Sequence, residues 1–215
     1  MVGLLCATAP GCSSYRQRRA ADDQYQRAVY AKDNGNTVQA IDSLQRATKA
    51  NPKLVPAHEM LGDLYKDTGD FDKASQEYDT LAKLEPKVAD HSYKLGLMQQ
   101  LLGKLQRAAE SYAKAIKLEP KSADAHMNLG LVYLEREMYE DAQTFFRKTL
   151  KLGPNLIEAY FELGRALWFG GHRDEAMQTW SDGHKANKFN PWAKRCKEML
   201  DVASSGGEVP RSLLS

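Results

Sequence analysis

Residues 123–156 read ADAHMNLGLVYLEREMYEDAQTFFRKTLKLGPNL, and the pattern recurs on both sides of them. VPAHEMLGDLYKDTGDFDKASQEYDTLAKLEPKV fills 55–88, ADHSYKLGLMQQLLGKLQRAAESYAKAIKLEPKS fills 89–122 and IEAYFELGRALWFGGHRDEAMQTWSDGHKANKFN fills 157–190. Pro52, Pro86, Pro120 and Pro154 stand 34 residues apart, and Gly62, Gly96, Gly130 and Gly164 keep the same interval. Two residue types sharing one register mark an internal repeat. Each unit carries two apolar stripes at helical spacing, for example Met60, Leu61, Leu64 and Tyr65, then Phe71, Ala74, Tyr78 and Leu81. A polar turn such as Asp67-Thr68-Gly69-Asp70 breaks the first helix and starts the second, so each unit is a helix hairpin. Proline closes the second helix by pushing the residue before it out of the helical region. Glycine at unit position 8 and alanine at position 20 (Ala74, Ala108, Ala142, Ala176) allow close helix approach. The aromatic at position 24 (Tyr78, Tyr112, Phe146, Trp180) is expected to fill the gap toward the next unit. A lone hairpin cannot bury its apolar face, so the units must stack.

Leu-Gly at positions 7 and 8, Tyr65 and Tyr133 at 11, alanine at 20, the aromatic at 24 and proline at 32 resemble the tetratricopeptide repeat. The resemblance covers 55–190 and implies an all-α fold, a right-handed superhelical solenoid of stacked hairpins. Four full repeats at 55–88, 89–122, 123–156 and 157–190 follow a degenerate first repeat at 21–54. That first unit keeps Ala28, Ala40, Leu44, Ala47 and Pro52, but has Arg27 and Ala31 where an apolar residue and an aromatic belong. A terminal repeat has no neighbour on one side, which permits such polarity. Trp192, Cys196, Met199 and Leu200 form one apolar stripe, read as a capping helix over 191–203. The tail 204–215, SSGGEVPRSLLS, has little to bury and is expected to be disordered.

The chain has 215 residues and a net charge of +2, which gives no electrostatic footprint for nucleic acid. Mean hydropathy is negative, and nothing after residue 14 approaches a spanning run of about 20 apolar residues. Residues 1–14, MVGLLCATAPGCSS, resemble the end of a bacterial lipoprotein signal, which would make Cys12 the lipidated residue. No Lys or Arg precedes the apolar stretch, which fits a translation start upstream of Met1, and Ala9 stands where the signal commonly has Leu. Membrane attachment is then expected only through acyl chains on Cys12, facing the periplasm, with Ser13 compatible with the outer membrane. Without lipidation, the expected location is cytoplasmic. Tyr15–Arg19 is read as a basic tether within a leader spanning 1–20.

No catalytic constellation stands out, and neither enzyme activity, cofactor nor metal is expected. His58 and His126 occupy packing position 4, while His91, His172 and His184 are too scattered for ligation. Gly170-Gly171 is a turn between helices, not a phosphate loop. The three cysteines, Cys6, Cys12 and Cys196, have no metal-ligand spacing, and Cys196 is read as a small core residue.

Binding remains, and the resemblance implies that the first helices line a concave groove. Carried onto this chain, the groove residues are Tyr93, Leu97, Met127, Leu131, Leu134, Phe161, Arg165 and Trp168, with Phe161 and Trp168 as energetic anchors. Asp90, Asp124 and Glu158 at position 2 form an acidic rim or, alternatively, favour the helix dipole. Such a groove suits a protein or peptide partner of basic, amphipathic character. The chaperone-type carboxylate clamp does not fit, because its positions carry Glu59, Asp63, Lys94, Asp124 and Asn128. Two functional classes follow from the resemblance. One is a scaffold like the small outer-membrane repeat lipoproteins that assist pilus or secretion-channel assembly. The other is a self-assembling organiser like the repeat protein that surrounds magnetosome vesicles, with the degenerate first repeat as its plug.

Overall fold

Proline and glycine divide the chain where the period requires. The computed structural model describes residues 10–209, and among them it contains eleven α-helices and no strand. These are α1 (Pro10–Asp33), α2 (Thr37–Ala50), α3 (Val55–Asp67), α4 (Phe71–Leu84), α5 (Ala89–Leu101), α6 (Leu105–Leu118), α7 (Ala123–Glu135), α8 (Tyr139–Leu152), α9 (Ile157–Phe169), α10 (Arg173–Ala186) and α11 (Pro191–Ser204). The second helices α2, α4, α6 and α8 stop at Asn51, Glu85, Glu119 and Gly153, each directly before a proline, with φ of −135°, −125°, −129° and −142°. α10 stops in the same register at Asn187, although Lys188 follows it instead of proline.

The hairpin turns repeat with equal regularity. Gly35, Gly69, Gly103 and Gly171 hold left-handed backbone, and so does Glu137 at φ 59°, the non-glycine member of this 34-residue series. In the α3–α4 turn the Gly69 N–H donates to the Lys66 carbonyl at 3.1 Å and the Asp70 N–H to that of Tyr65 at 2.8 Å. These bonds close α3, and the Asp70 side chain then accepts from the Lys73 N–H to cap α4. In the α7–α8 turn the Met138 N–H donates to the Tyr133 carbonyl at 2.9 Å. Glu137 makes this closure against a left-handed cost of about 1–2 kcal/mol that glycine avoids.

The helices form two compact units, residues 1–103 and 104–215, divided within the second full repeat after Gly103. In the first unit, consecutive helices from α1 to α5 pack pairwise. Its core includes Ala28, Ala40, Leu44, Leu61, Tyr78 and Leu81. The degenerate repeat therefore buries the alanines that its small positions require. In the second unit α6 to α11 pack in series, and α11 also lies against α9. Phe146, Phe161, Trp180, Cys196 and Met199 are among its core residues.

Aromatic rings at position 24 sit on the glycine of their own hairpin. A Cβ placed on Gly62 would lie 3.1 Å from Tyr78, one on Gly130 2.7 Å from Phe146, and one on Gly164 2.1 Å from the Trp180 Nε1. The ring thus packs within its own hairpin, and Tyr78 also faces the next unit, where the Lys94 ammonium lies 5.8 Å from its ring centroid. Two expectations change at the ends. α1 begins at Pro10 and runs through Tyr15–Arg19, so the tether is helical and exposed. No glycine or proline follows Gly11 until Gly35, and Arg, Gln and Ala favour the helix. Within the expected tail, Val209 is buried in the second unit's core. Beyond it, the expected tail lies outside the described residues, as do Cys6 and the side chain of Cys12.

Candidate functional site in the second unit

α7, α9 and α11 frame a groove of about 350 Å³. α7 contributes Leu131, Leu134 and Glu135, and α9 contributes Glu158, Glu162, Arg165 and Phe169; Trp192 lies on α11, with Glu137 and Tyr139 beside the α7–α8 turn. The walls follow from helical spacing. Leu131 and Leu134 are three apart on α7, while Glu158, Glu162, Arg165 and Phe169 succeed one another every three or four residues on α9. Trp192 is set at the start of α11, where Pro191 occupies the first turn and the Asn190 side chain caps the helix by accepting from the Trp192 N–H at 2.8 Å.

The chemistry of this groove is acidic on apolar walls. It presents four carboxylates, Glu135, Glu137, Glu158 and Glu162, and one guanidinium, Arg165. Glu162 is 1% exposed and accepts a 2.7 Å bond from Arg165 Nη1, so the buried carboxylate is neutralised on its own helix. Burial nevertheless raises the Glu162 pKa, with Arg165 lowering it in part and Glu158 adding to the rise. Half-buried Glu158 is likewise raised by burial, offset in part by the charge of Arg195. The Arg195 guanidinium lies over the Trp192 ring, 4.7 Å from its centroid.

The expected site residues divide among several places. Leu131, Leu134, Arg165 and Glu158 come together in this groove, and Met127 packs half-buried against the same core. Phe161 does not serve as an exposed anchor: it is 1% exposed, its ring 5.3 Å from that of Trp192. The capping helix covers position 5 of the last repeat, a consequence of α11 packing on α9 that the unit pattern alone omits. Trp168 lines a separate cavity of about 880 Å³ with Met177, Gly206 and Val209, its ring 5.9 Å from Trp180 and beneath the Arg173 guanidinium. Tyr93 and Leu97 are half-buried on α5 in the first unit, where Leu97 packs on the core. Asp90 is exposed and pairs with Lys94 at 3.0 Å, and Asp124 is exposed in the first turn of α7. Of the acidic position-2 residues, Glu158 lines this groove.

Sequence reasoning missed Glu162, Glu137 and Trp192. The signal for Glu162 was a carboxylate between Phe161 and Leu163 with Arg165 three residues on, the spacing of a helical ion pair. The signal for Glu137 was its place in the glycine series.

Three of the histidines, His58, His91 and His126, are buried. His58 is buried, with Nδ1 2.6 Å from Glu77 Oε2 and Nε2 3.1 Å from the Pro52 carbonyl. Both neighbours are acceptors, so both contacts are hydrogen bonds only when the imidazole carries two protons. Burial opposes that charge, but the Glu77 bond and charge, with the Pro52 carbonyl, outweigh it and raise the pKa. His91 Nε2 lies 2.9 Å from Glu85, and His126 Nε2 3.2 Å from the Pro120 carbonyl. Burial, with the nearby Glu162 charge, pushes the Cys196 thiol up to about 12. Among the described residues, no group of three or more His, Cys, Asp or Glu is placed to hold a metal ion, and no helix is long and apolar enough to cross a membrane.

Comparison with known proteins places this geometry in context. Four repeat families match in succession: tetratricopeptide repeat over 31–101, TPR repeat over 101–136, and tetratricopeptide repeat over 123–156 and again over 157–181. No curated protein sequence matches significantly. Among solved structures, the MamA protein is 26% identical with a TM-score of 0.74, covering 89% of this chain and 98% of its own. YrrB, a TPR protein with an unusual peptide-binding site, shares the fold at 15% identity and TM-score 0.73, covering 89% and 100%. Pseudomonas aeruginosa pilF shares it at 23% identity and TM-score 0.61, covering 88% and 89%.

Proposed function

Because this chain belongs to the tetratricopeptide repeat family, a family of protein-interaction scaffolds, we propose that it is a non-enzymatic scaffold that binds a protein or peptide in the α7–α9–α11 groove. The observation that carries this reading is the groove itself: apolar walls from Leu131, Leu134, Phe169 and Trp192 around a few fixed polar groups, in a volume within the range of ligand pockets. A photo-crosslinking residue at Leu131 tests it in native cells. Crosslinks to a defined protein from Leu131, and none from exposed Glu140 on α8, are expected. Equal labelling from both positions would refute the groove.

The proposal extends to location. Gly11-Cys12-Ser13-Ser14 supports lipidation at Cys12 and a periplasm-facing membrane anchor, with assembly of a pilus or secretion complex as the pathway. Cys12→Ser should release the protein from membranes, and continued membrane association would discard the anchor.

A second reading, a self-assembling organiser, is favoured by the likeness to MamA and by the exposed basic start of α1, where Arg16, Arg18 and Arg19 could face an acidic groove on another copy. Light scattering after size exclusion separates the two readings, since a concentration-independent monomer removes self-assembly.

A further inference from the structure

The partner's chemistry follows from the charge balance on α9. Glu158 and Glu162 stand one turn apart, and Arg165 is committed to Glu162 at 2.7 Å. No described side chain donates a hydrogen bond to Glu158. Arg195 acts on it only through its field, with its guanidinium held over Trp192. A half-buried carboxylate beside an apolar wall thus lacks a hydrogen-bonded counter-charge. A ligand that covers this carboxylate must bring a hydrogen-bond donor to it, and a cationic donor makes the stronger bond and also offsets the charge. The walls around it, Trp192 and Leu131, match the aliphatic stem of a long basic side chain, which lies on apolar surface while its head meets charge.

We propose that the groove takes one arginine or lysine side chain from a peptide segment of another protein, its cationic head against Glu158 and its stem between Trp192 and Leu131. This rests on the groove being the partner site. Glu135 and Glu137 line the same groove. The volume of about 350 Å³ accommodates side chains of a short peptide segment.

The test is selection of a phage-displayed dodecapeptide library on the full chain, followed by synthesis of the strongest binder. Selected peptides should share one Arg or Lys flanked by apolar residues. Replacing it with citrulline, which removes the charge at nearly constant shape, should weaken binding at least tenfold, and Glu158→Gln in the protein should do the same. The citrulline arm leaves the protein unaltered, so a folding defect cannot produce it. Binders that tolerate citrulline and Glu158→Gln, yet are lost on Leu131→Asp, would overturn the cation assignment and leave the groove standing. Binders indifferent to all three changes, or a library yielding none, would overturn both. Concentration-dependent dimers abolished by Glu158→Gln would give the groove to a second copy and overturn its assignment to another protein.

Discussion

Alanine placed at three equivalent glycines should cost three different amounts, because the ring opposite each leaves a different gap. At Gly62 the new Cβ would meet Tyr78 at 3.1 Å, a contact relieved by a shift of a few tenths of an ångström. Alanine also gains about 0.8–1 kcal/mol in helix propensity over glycine, so Gly62→Ala should fall within about 1 kcal/mol of wild type. At Gly130 the Cβ would lie 2.7 and 2.9 Å from two atoms of the Phe146 ring, and overpacking of about 1–3 kcal/mol outweighs the propensity gain. At Gly164 it would lie 2.1 Å from Trp180 Nε1 and 2.5 Å from Cδ1, so the indole must move. That indole donates a 3.1 Å hydrogen bond to the Phe161 carbonyl in the buried core. Loss of this bond adds a desolvation cost of about 1–3 kcal/mol, for a net destabilisation of about 3 kcal/mol. Urea unfolding followed by circular dichroism ranks the three variants. Tryptophan fluorescence isolates the second unit, which holds Trp168, Trp180 and Trp192. The Trp180 indole proton should be protected from exchange in wild type and lose protection in Gly164→Ala. Equal urea midpoints for Gly62→Ala and Gly164→Ala would refute the account of ring over glycine.

Other outcomes follow from the charged groups and the turns. Because burial raises the folded-state pKa of Glu158, its contribution is fully present below the ordinary carboxylate value and lost as pH rises through the folded value. Glu158→Gln should therefore raise the melting temperature of the second unit at neutral pH, with the gain vanishing on acidification; a gain that grew on acidification would contradict this sign. The raised His58 pKa places its stabilisation below the ordinary histidine value of 6.5, to be lost as pH rises through the folded value. The deficit of His58→Gln relative to wild type should thus be largest at about pH 6 and shrink in alkali, as thermal melts across pH would show. Glu137→Gly should stabilise by about 1 kcal/mol, or about 2–4 °C in melting temperature, while weakening capture of a cationic peptide; a destabilised variant would remove left-handed strain as the cause. Cys196, buried with its thiol pKa pushed up to about 12, should react with a maleimide only as fast as the second unit unfolds, and prompt labelling of the native protein would contradict its burial.

The hairpins were legible because their determinants are local and recur. Pro86 ends α4 and Gly69 turns α3 into α4 through steric rules that act within a few residues, and the 34-residue period repeats each rule in register. The groove was legible only in part. Leu131, Leu134 and Glu158 sit where the repeat places a concave face, but Phe161 does not, because its exposure depends on α11, a helix outside the repeat. Trp168 shows the same limit. Its neighbours Gly206 and Val209 belong to a tail whose composition promises little burial, yet Val209 packs into the core. Glu162 reads as a solvated helix carboxylate until Arg165, three residues on, allows it to be buried as a pair. Such residues depend on contacts made far along the chain, and no window of sequence contains them.

The position of α11 also constrains how copies of this protein could grow into an assembly. By packing on α9 and α10, it occupies a face on which a further hairpin would have continued the second unit. Extension from that face would require α11 to detach, exposing Cys196 and Met199. An assembly that keeps α11 in place must therefore use surfaces other than the α9 and α10 faces it covers. The helix that completes the second unit's core thus also keeps the apolar faces of α9 and α10 from another copy.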